Sequence, residues 1–242
     1  MKSYSRFVSP DMATTTMVSQ DQDDDMPQLS AETFSALSEF YKEQEDRESQ
    51  QSEVRALVES GEDIEWKEDW QLSQFWYSEE TAVCLARAVA KCVEGGGRVA
   101  CLSAPTLYKA CIKLDNKSDN VKFDLFEYDK RFAAYGSAFH FYDYKSPLDI
   151  NRDLREQFDL VFADPPFLSE ECLTKTMVTV KFLAKDGAKL LLCTGAVMAQ
   201  LADRLAGLKV CKFEPVHQNS LSNPFQCFAN FDLDQYIDTT KS

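Results

Sequence analysis

Phe158-Asp159-Leu160-Val161-Phe162-Ala163-Asp164-Pro165-Pro166-Phe167 decides the fold of this chain. The first six residues are apolar apart from Asp159, the pattern of a strand buried on both faces of a parallel sheet. Two consecutive prolines then stop the ladder, because neither can donate a backbone hydrogen bond. Asp164 is therefore expected at the carboxyl edge of a buried strand, with a rigid turn and an aromatic ring after it. Open α/β sheets bind their ligands at that edge. Asp and Pro also make plain turns, but a turn that closes a buried strand favours the site.

Asp164-Pro165-Pro166-Phe167 resembles the (Asn/Asp)-Pro-Pro-aromatic motif of S-adenosylmethionine-dependent amino-methyltransferases. The chemistry needs these residue types. A nitrogen nucleophile must meet a sulfonium methyl in line, with its N–H groups held and its lone pair aimed. The Asp164 carboxylate accepts one N–H and the Pro165 carbonyl a second. Pro166 stiffens the turn, and Phe167 offers an apolar face to the target. Positioning of this kind supplies on the order of 7–11 kcal/mol of a barrier.

Strands and helices alternate on both sides of this stretch. Ser78 caps a helix that carries Glu79 and Glu80 in its first turn and ends at Gly95-Gly96-Gly97. Arg98 to Ser103 reads as a strand. Ser103-Ala104-Pro105-Thr106 then turns into a helix to about Leu114, without the Gly-x-Gly often found at this turn in methyltransferases. Val121 to Tyr128 is a second strand, Lys130 to Tyr135 a helix, Phe139 to Tyr144 a third strand and Leu148 to Glu156 a helix. After the Asp-Pro-Pro-Phe strand, Ser169 caps a helix to Ala184 and Asp186-Gly187 turns the chain. Lys189 to Cys193 is a fifth strand, followed by a helix over Ala196 to Leu205. Leu208 to Val216 and Phe225 to Leu233 form a closing antiparallel pair. The sum is an α/β, Rossmann-like, seven-stranded methyltransferase fold.

Acids at the strand ends are the cofactor candidates. Glu127 and Asp129 both suit ribose hydroxyls, since a carboxylate accepts from two of them; Asp129 equally suits a helix cap. Asp143 suits an adenine amine, with Tyr142 or Tyr144 beside the ring. Phe75, Trp76 and Tyr77 each suit core packing, yet as an aromatic group before a helix start they also suit a cofactor cover. His140, between aromatics in mid-strand, reads as a packed histidine.

The 242 residues carry 26 basic and 40 acidic side chains, a net charge of −14. Nucleic-acid binding needs a cationic footprint, so this balance argues against it and favours a basic partner or simple solubility. With 44% hydrophobic residues the chain can bury a proper core. No apolar run approaches the ~20 residues of a membrane span, and Met1 to Gln20 lacks the apolar centre of a signal peptide. Eight cysteines without a CxxC pair read as reduced, buried thiols of a cytoplasmic protein, not as metal ligands. Residues 1–27 are Ser/Thr/Asp-rich and read as disordered. Residues 28–68 read as an acidic helical extension capped at Ser30, with Leu29, Phe34, Leu37, Phe40 and Tyr41 as an apolar stripe that packs on the main domain or, the rarer alternative, binds a partner. Residues 69–242 hold the methyltransferase domain.

Several stretches together resemble the eukaryotic lysine methyltransferases of translation elongation factor 1-alpha, a family once described as adenine-N6 DNA methyltransferase-like. They are Trp70-Gln71-Leu72-Ser73-Gln74-Phe75-Trp76-Tyr77-Ser78, Phe126-Glu127-Tyr128-Asp129-Lys130-Arg131-Phe132, Phe141-Tyr142-Asp143-Tyr144, the stretch from Ala163 to Cys172, and Leu192-Cys193-Thr194-Gly195. Family members often carry Tyr where Phe167 stands. The resemblance implies S-adenosylmethionine as cofactor, held by Trp76, Tyr77, Ser78, Thr81, Ser103, Glu127, Asp129, Asp143 and Tyr144. It implies Asp164, Pro165, Pro166 and Phe167 at the transfer site, and elongation factor 1-alpha as protein substrate. Two other readings stand beside it: an adenine-N6 methyltransferase on nucleic acid, and a non-catalytic binding subunit of the same fold.

Overall fold

In the computed structural model the described residues are 30, 32–35, 37–42, 49, 52, 56, 67–115, 118–219 and 223–237. The chain divides into two units, Met1–Asp46 and Arg47–Ser242. In the first unit, residues 32–35 and 37–42 are helical. Ser30 Oγ accepts from the Thr33 amide at 3.1 Å, the cap expected for it. Phe34, Leu37, Phe40 and Tyr41 are exposed on this helix. The stretch 1–27 read as disordered lies outside the described residues, as does most of the extension beyond Tyr41.

Seven strands of the second unit form one sheet among the described residues. They are β1 (Gly97–Leu102), β2 (Val121–Glu127), β3 (Phe139–Phe141), β4 (Phe158–Ala163), β5 (Ala184–Gly195), β6 (Lys209–Val210) and β7 (Phe225–Ala229). Their order is β3-β2-β1-β4-β5-β7-β6, with β7 antiparallel to both neighbours. This is the Rossmann-like α/β arrangement. The direction of winding reverses between β1 and β4, which puts the switch point beside Asp164.

β4 is buried throughout except at Asp159, as its composition requires. Asp159 sits where the strand enters the sheet. It accepts from the Arg98 amide at 2.8 Å and from Lys185 Nζ at 2.8 and 2.9 Å. Alternate residues of the strands feed two separate apolar layers. Val99, Cys101, Leu160 and Phe162 pack with Leu85, Val89 and Leu107 from helices α1 (Glu79–Cys92) and α2 (Pro105–Ile112). Ala100, Leu102, Val161 and Ala163 pack with Met177, Leu183 and Leu201 from α3 (Glu170–Leu183) and α4 (Ala199–Ala206). Burying each large side chain is worth roughly 1.5–3 kcal/mol.

Several expected elements differ; β3 stops at Phe141, short of the expected Tyr144, and β7 at Ala229, short of the expected Leu233. Leu148 to Glu156 is not a helix; only Arg152–Leu154 makes a turn of 3-10 helix, capped by Asn151. The backbone before it is spent on tight turns, with the Ser146 amide on Asp143 O and the Asp149 amide on Ser146 O. Lys130–Ala138 is 3-10 helix broken at Gly136, whose φ of 62° is left-handed. The expected strand 208–216 shrinks to β6, because side chains take the amides of Lys212, Phe213 and Val216 beyond it. Lys212 and Phe213 amides donate to Asp234 at 3.0 and 3.2 Å, and the Val216 amide to Thr81 Oγ1 at 3.0 Å. The Asp186-Gly187 turn survives as a break in register within β5: Ala184 lies opposite Phe158, yet Lys189 lies opposite Leu160.

Candidate active site

The strand ends converge through their last hydrogen bonds. The Asp164 amide donates to Leu102 O at 3.0 Å, the Ser103 amide to Phe126 O at 2.8 Å, and the Tyr142 amide to Glu127 O at 3.0 Å. The residues just past β1, β2, β3 and β4 therefore share one edge. They open onto a cavity of about 300 Å³, within the range of small-ligand sites. Asp164, Pro165, Pro166 and Phe167 line it, with Ser103, Glu127, Asp143, Tyr144, Trp76 and Tyr77.

Asp164 holds its carboxyl in the wall of this cavity, and Tyr77 Oη donates to its Oδ2 at 2.6 Å. Among the described residues nothing in the chain donates to Asp164 Oδ1 or to the Pro165 carbonyl. Two adjacent acceptors are thus left for a ligand. Burial pushes the Asp164 carboxyl up to about 7; the hydrogen bond from Tyr77 opposes this, and the negative Glu127 adds to it. Glu127, 6% exposed, is also pushed up to about 7, by burial first. The Phe167 ring is 43% exposed and lies 5.7 Å from that of Tyr144, which gives the cavity an aromatic lip.

Not every residue expected at the site reaches it. Asp129 is 5% exposed and spent inside the protein. It accepts from Gln74 Nε2 at 2.9 Å, from Arg131 Nε at 2.8 Å and from the Arg131 amide at 2.9 Å. The helix-cap reading holds for Asp129, and Glu127 alone faces the cavity as the acid of β2. Ser78 and Thr81 do not line the cavity. Ser78 Oγ caps α1 through the Thr81 amide at 3.2 Å, and the Thr81 hydroxyl is taken by the Val216 amide. The helix start consumes both hydroxyls. His140 is a packed histidine, bonded through Nε2 to Asp124 Oδ1 at 2.8 Å and stacked on Phe126.

Residues that sequence reasoning missed are Gln74, Tyr128, His217 and Phe225, all in the cavity wall. His217 comes from the segment between β6 and β7, where nothing local marks it. Its ring lies 4.9 Å from Tyr77 and 4.8 Å from Phe225. Burial lowers its pKa, so it is neutral at physiological pH.

The turn after β1 does without glycine. Ser103 adopts φ 53° there, a left-handed conformation that residues with a side chain rarely take. Pro105 follows at the first position of α2, whose N-terminus has no side-chain cap. The amides opening α2 therefore remain as donors at the cavity. Ser103→Val is expected to destabilise the protein by roughly 1–3 kcal/mol, since a β-branched residue fits this φ poorly, whereas Ser103→Gly is tolerated. Thermal melts of the two variants check this.

Among the described residues no helix is long and apolar enough to cross a membrane, and no three His, Cys, Asp or Glu side chains gather as a metal site. None of the eight cysteines is in a disulfide.

Residues 68–233 match the family described as "Probable N6-adenine methyltransferase". EEF1A lysine methyltransferase 1 of Homo sapiens is 48% identical over 217 residues, covering 87% of this chain and 95% of that protein. The protein of the same name from Gallus gallus is 49% identical over 212 residues, covering 87% and 97%. A protein-lysine N-methyltransferase of Caenorhabditis elegans is 44% identical over 215 residues, covering 86% and 95%. Among solved structures, a SAM-dependent methyltransferase from Aquifex aeolicus superposes with a TM-score of 0.41 at 13% identity, covering 67% of this chain and 97% of that one. With the Asp-Pro-Pro-Phe strand at the switch point and relatives this similar along nearly their whole length, the chain belongs to the EEF1A lysine methyltransferase 1 family of protein-lysine N-methyltransferases.

Proposed function

We propose that this chain transfers a methyl group from S-adenosylmethionine to a lysine amine of translation elongation factor 1-alpha. The observation that carries the reading is the pair of free acceptors, Asp164 Oδ1 and the Pro165 carbonyl, beside a buried Glu127 in one cavity. Two acceptors match the two N–H groups of a neutral lysine amine, and the third direction is left to its lone pair.

The cavity residues fit S-adenosylmethionine. The Glu127 carboxylate suits two ribose hydroxyls, Asp143 and Tyr144 suit adenine, and the uncapped amides of α2 suit a carboxylate. When bound, the cofactor supplies an electrophilic methyl on a positive sulfur. The chain's own work is at the amine. Free lysine has a pKa of ~10.4, and only its neutral form is a nucleophile. Phe167, Pro166 and Tyr144 line an apolar approach that disfavours the ammonium. A carboxyl raised to about 7 is a better proton acceptor than an ordinary aspartate. The gap between acceptor and amine narrows by roughly 4 kcal/mol.

Turnover should depend on pH accordingly. Asp164 must be ionised to accept, so turnover is expected to rise with pH through about 7 and to fall below it. A pH profile of kcat under saturating cofactor checks this; a flat profile between pH 6 and 8 contradicts it.

The reading is tested by incubating the purified chain with methyl-labelled cofactor and, separately, recombinant elongation factor 1-alpha and adenine-containing DNA or RNA. Label on a lysine of the factor supports it. Label on nucleic acid alone would instead favour the adenine reading, which the net charge of −14 opposes. No binding of S-adenosylmethionine by calorimetry would favour the non-catalytic reading.

A further inference from the structure

Tyr77 is 1% exposed, yet its hydroxyl reaches the carboxylate at the transfer site, 2.6 Å from Asp164 Oδ2. The phenol is held from several directions. Its backbone makes an antiparallel bridge with His217, and its ring packs on the His217 ring at 4.9 Å. His217 is itself backed by Phe225 at 4.8 Å. The next residue, Ser78, caps α1 and donates its amide to Val216 O at 2.8 Å, while the Gln218 amide donates to Trp76 O at 2.8 Å. Tyr77 is thus a fixed donor on a fixed backbone.

The terminal torsion of an aspartate is broad, so a carboxylate with both oxygens free samples many orientations. Tying one oxygen removes that freedom and sets the direction of the other. We propose that Tyr77 is a positioning residue for methyl transfer: its hydroxyl clamps Asp164 Oδ2 so that Oδ1 faces the target amine. The inference rests on the reading of Asp164 as the amine acceptor.

The clamp also bears on ionisation, because a hydrogen bond to a carboxylate favours its charged form. Glu127 from β2, Cys193 from β5, Cys227 from β7 and His217 from the segment after β6 are the other ionisable groups facing this pair. Tyr77 and Cys193 are both driven well above their ordinary values by burial first, so each stays protonated. His217 is neutral. Asp164 and Glu127 are left to titrate near neutrality, and of these two only Asp164 is bonded to the Tyr77 hydroxyl, which also contacts the protonated Cys193 thiol.

Tyr77→Phe in the full chain removes one oxygen. The expected result is a fall in kcat of about tenfold, the loss of one charge-assisted hydrogen bond in the transition state. The acidic limb of the kcat profile moves to higher pH. 3-Fluorotyrosine at position 77, a stronger donor of nearly the same shape, moves that limb to lower pH and answers the question if the Phe variant folds poorly. A limb that stays put in both chains overturns the proposal even if kcat falls, since a packing role lowers kcat without moving it. Asp164→Asn separates the two levels. If it retains turnover, the reading of Asp164 has failed. If it is inactive while Tyr77→Phe matches the unmodified chain in kcat and limb, only the role of Tyr77 has failed.

Discussion

Asp164→Asn is expected to abolish methyl transfer and at the same time to raise thermal stability above pH 7. Asn keeps the shape, and its Oδ1 can still accept from Tyr77. The substitution removes a negative charge held in a buried wall beside a second carboxylate, Glu127. The Asp164 carboxyl is raised from 3.8 to about 7, first by burial. The folded protein therefore binds this proton more tightly than the unfolded chain does. That contribution to stability is complete below the unfolded value and is lost as pH rises through about 7. Above pH 7 the ionised group is a cost, which Asn removes. The shift corresponds to roughly 4 kcal/mol, and partial exposure of the carboxyl reduces the expected gain to about 1–3 kcal/mol. At pH 5 the carboxyl is protonated in the fold but ionised in the unfolded chain, so the gain should shrink to roughly a third of its value at pH 8 and vanish only below the unfolded value of 3.8. Melting temperatures at both pH values, with turnover on the protein substrate, test the pair of effects. Retained turnover, or a lower melting temperature at pH 8, contradicts the assignment.

The second large effect lies away from the site. Asp124, on β2, is 4% exposed and joins three parallel strands. It accepts from Arg98 of β1 through Nε at 2.7 Å and Nη2 at 2.6 Å, and bonds His140 of β3 at 2.8 Å. Arg98 also lies over the Phe158 ring at 4.7 Å, which ties the cluster to β4. Burial alone would raise the Asp124 carboxyl, but hydrogen bonds from His140 and Arg98 outweigh it and hold the pKa below its ordinary value. Asp124→Ala leaves a guanidinium and an imidazole without their acceptor in a mostly buried place, at an expected cost of about 3–5 kcal/mol. With the folded pKa depressed, the stabilisation is present above the unfolded value and is lost as pH falls through the folded one. The variant should therefore lose part of the protein's acid sensitivity along with its stability. Urea midpoints at pH 7 and pH 4 measure both. A loss below about 1 kcal/mol at pH 7 would mean that the cluster is mutually screened by water.

Activity and stability thus pull apart at the two aspartates. Asp124 is fully paired, and its charge holds the sheet edge together. Asp164 has one partner and one free oxygen, and its charge works against the fold. A binding site requires a carboxylate left incompletely satisfied at a strand end, and a core avoids one.

The division between local pattern and tertiary packing is clear in particular residues. Phe158 to Ala163 could only be a central strand, because five apolar residues in a run of six need cover on both faces, and Pro165-Pro166 could only end it. Ser78, Ser169 and Gly207 mark helix ends through their own hydroxyls or a positive φ, which are properties of single residues. That Glu127, Asp143 and the Asp164-Pro165-Pro166-Phe167 turn share one edge was legible for the same reason: each stands at or just past the end of a strand, and parallel strands deliver their carboxyl ends to one edge of the sheet. Which of Glu127 and Asp129 faces the cavity was not legible, because Gln74 and Arg131 claim Asp129, and Gln74 comes from a segment 55 residues away. The length of β6 was not legible either, because the carboxylate of Asp234 and the hydroxyl of Thr81 outcompete a ladder for the amides of Lys212, Phe213 and Val216 beyond it. Nor was the contact between Tyr77 and Asp164, which lie 87 residues apart. Periodicity and capping act within a few residues along the chain; a hydrogen bond between side chains from distant segments exists only once the core has packed and brought both to the same wall.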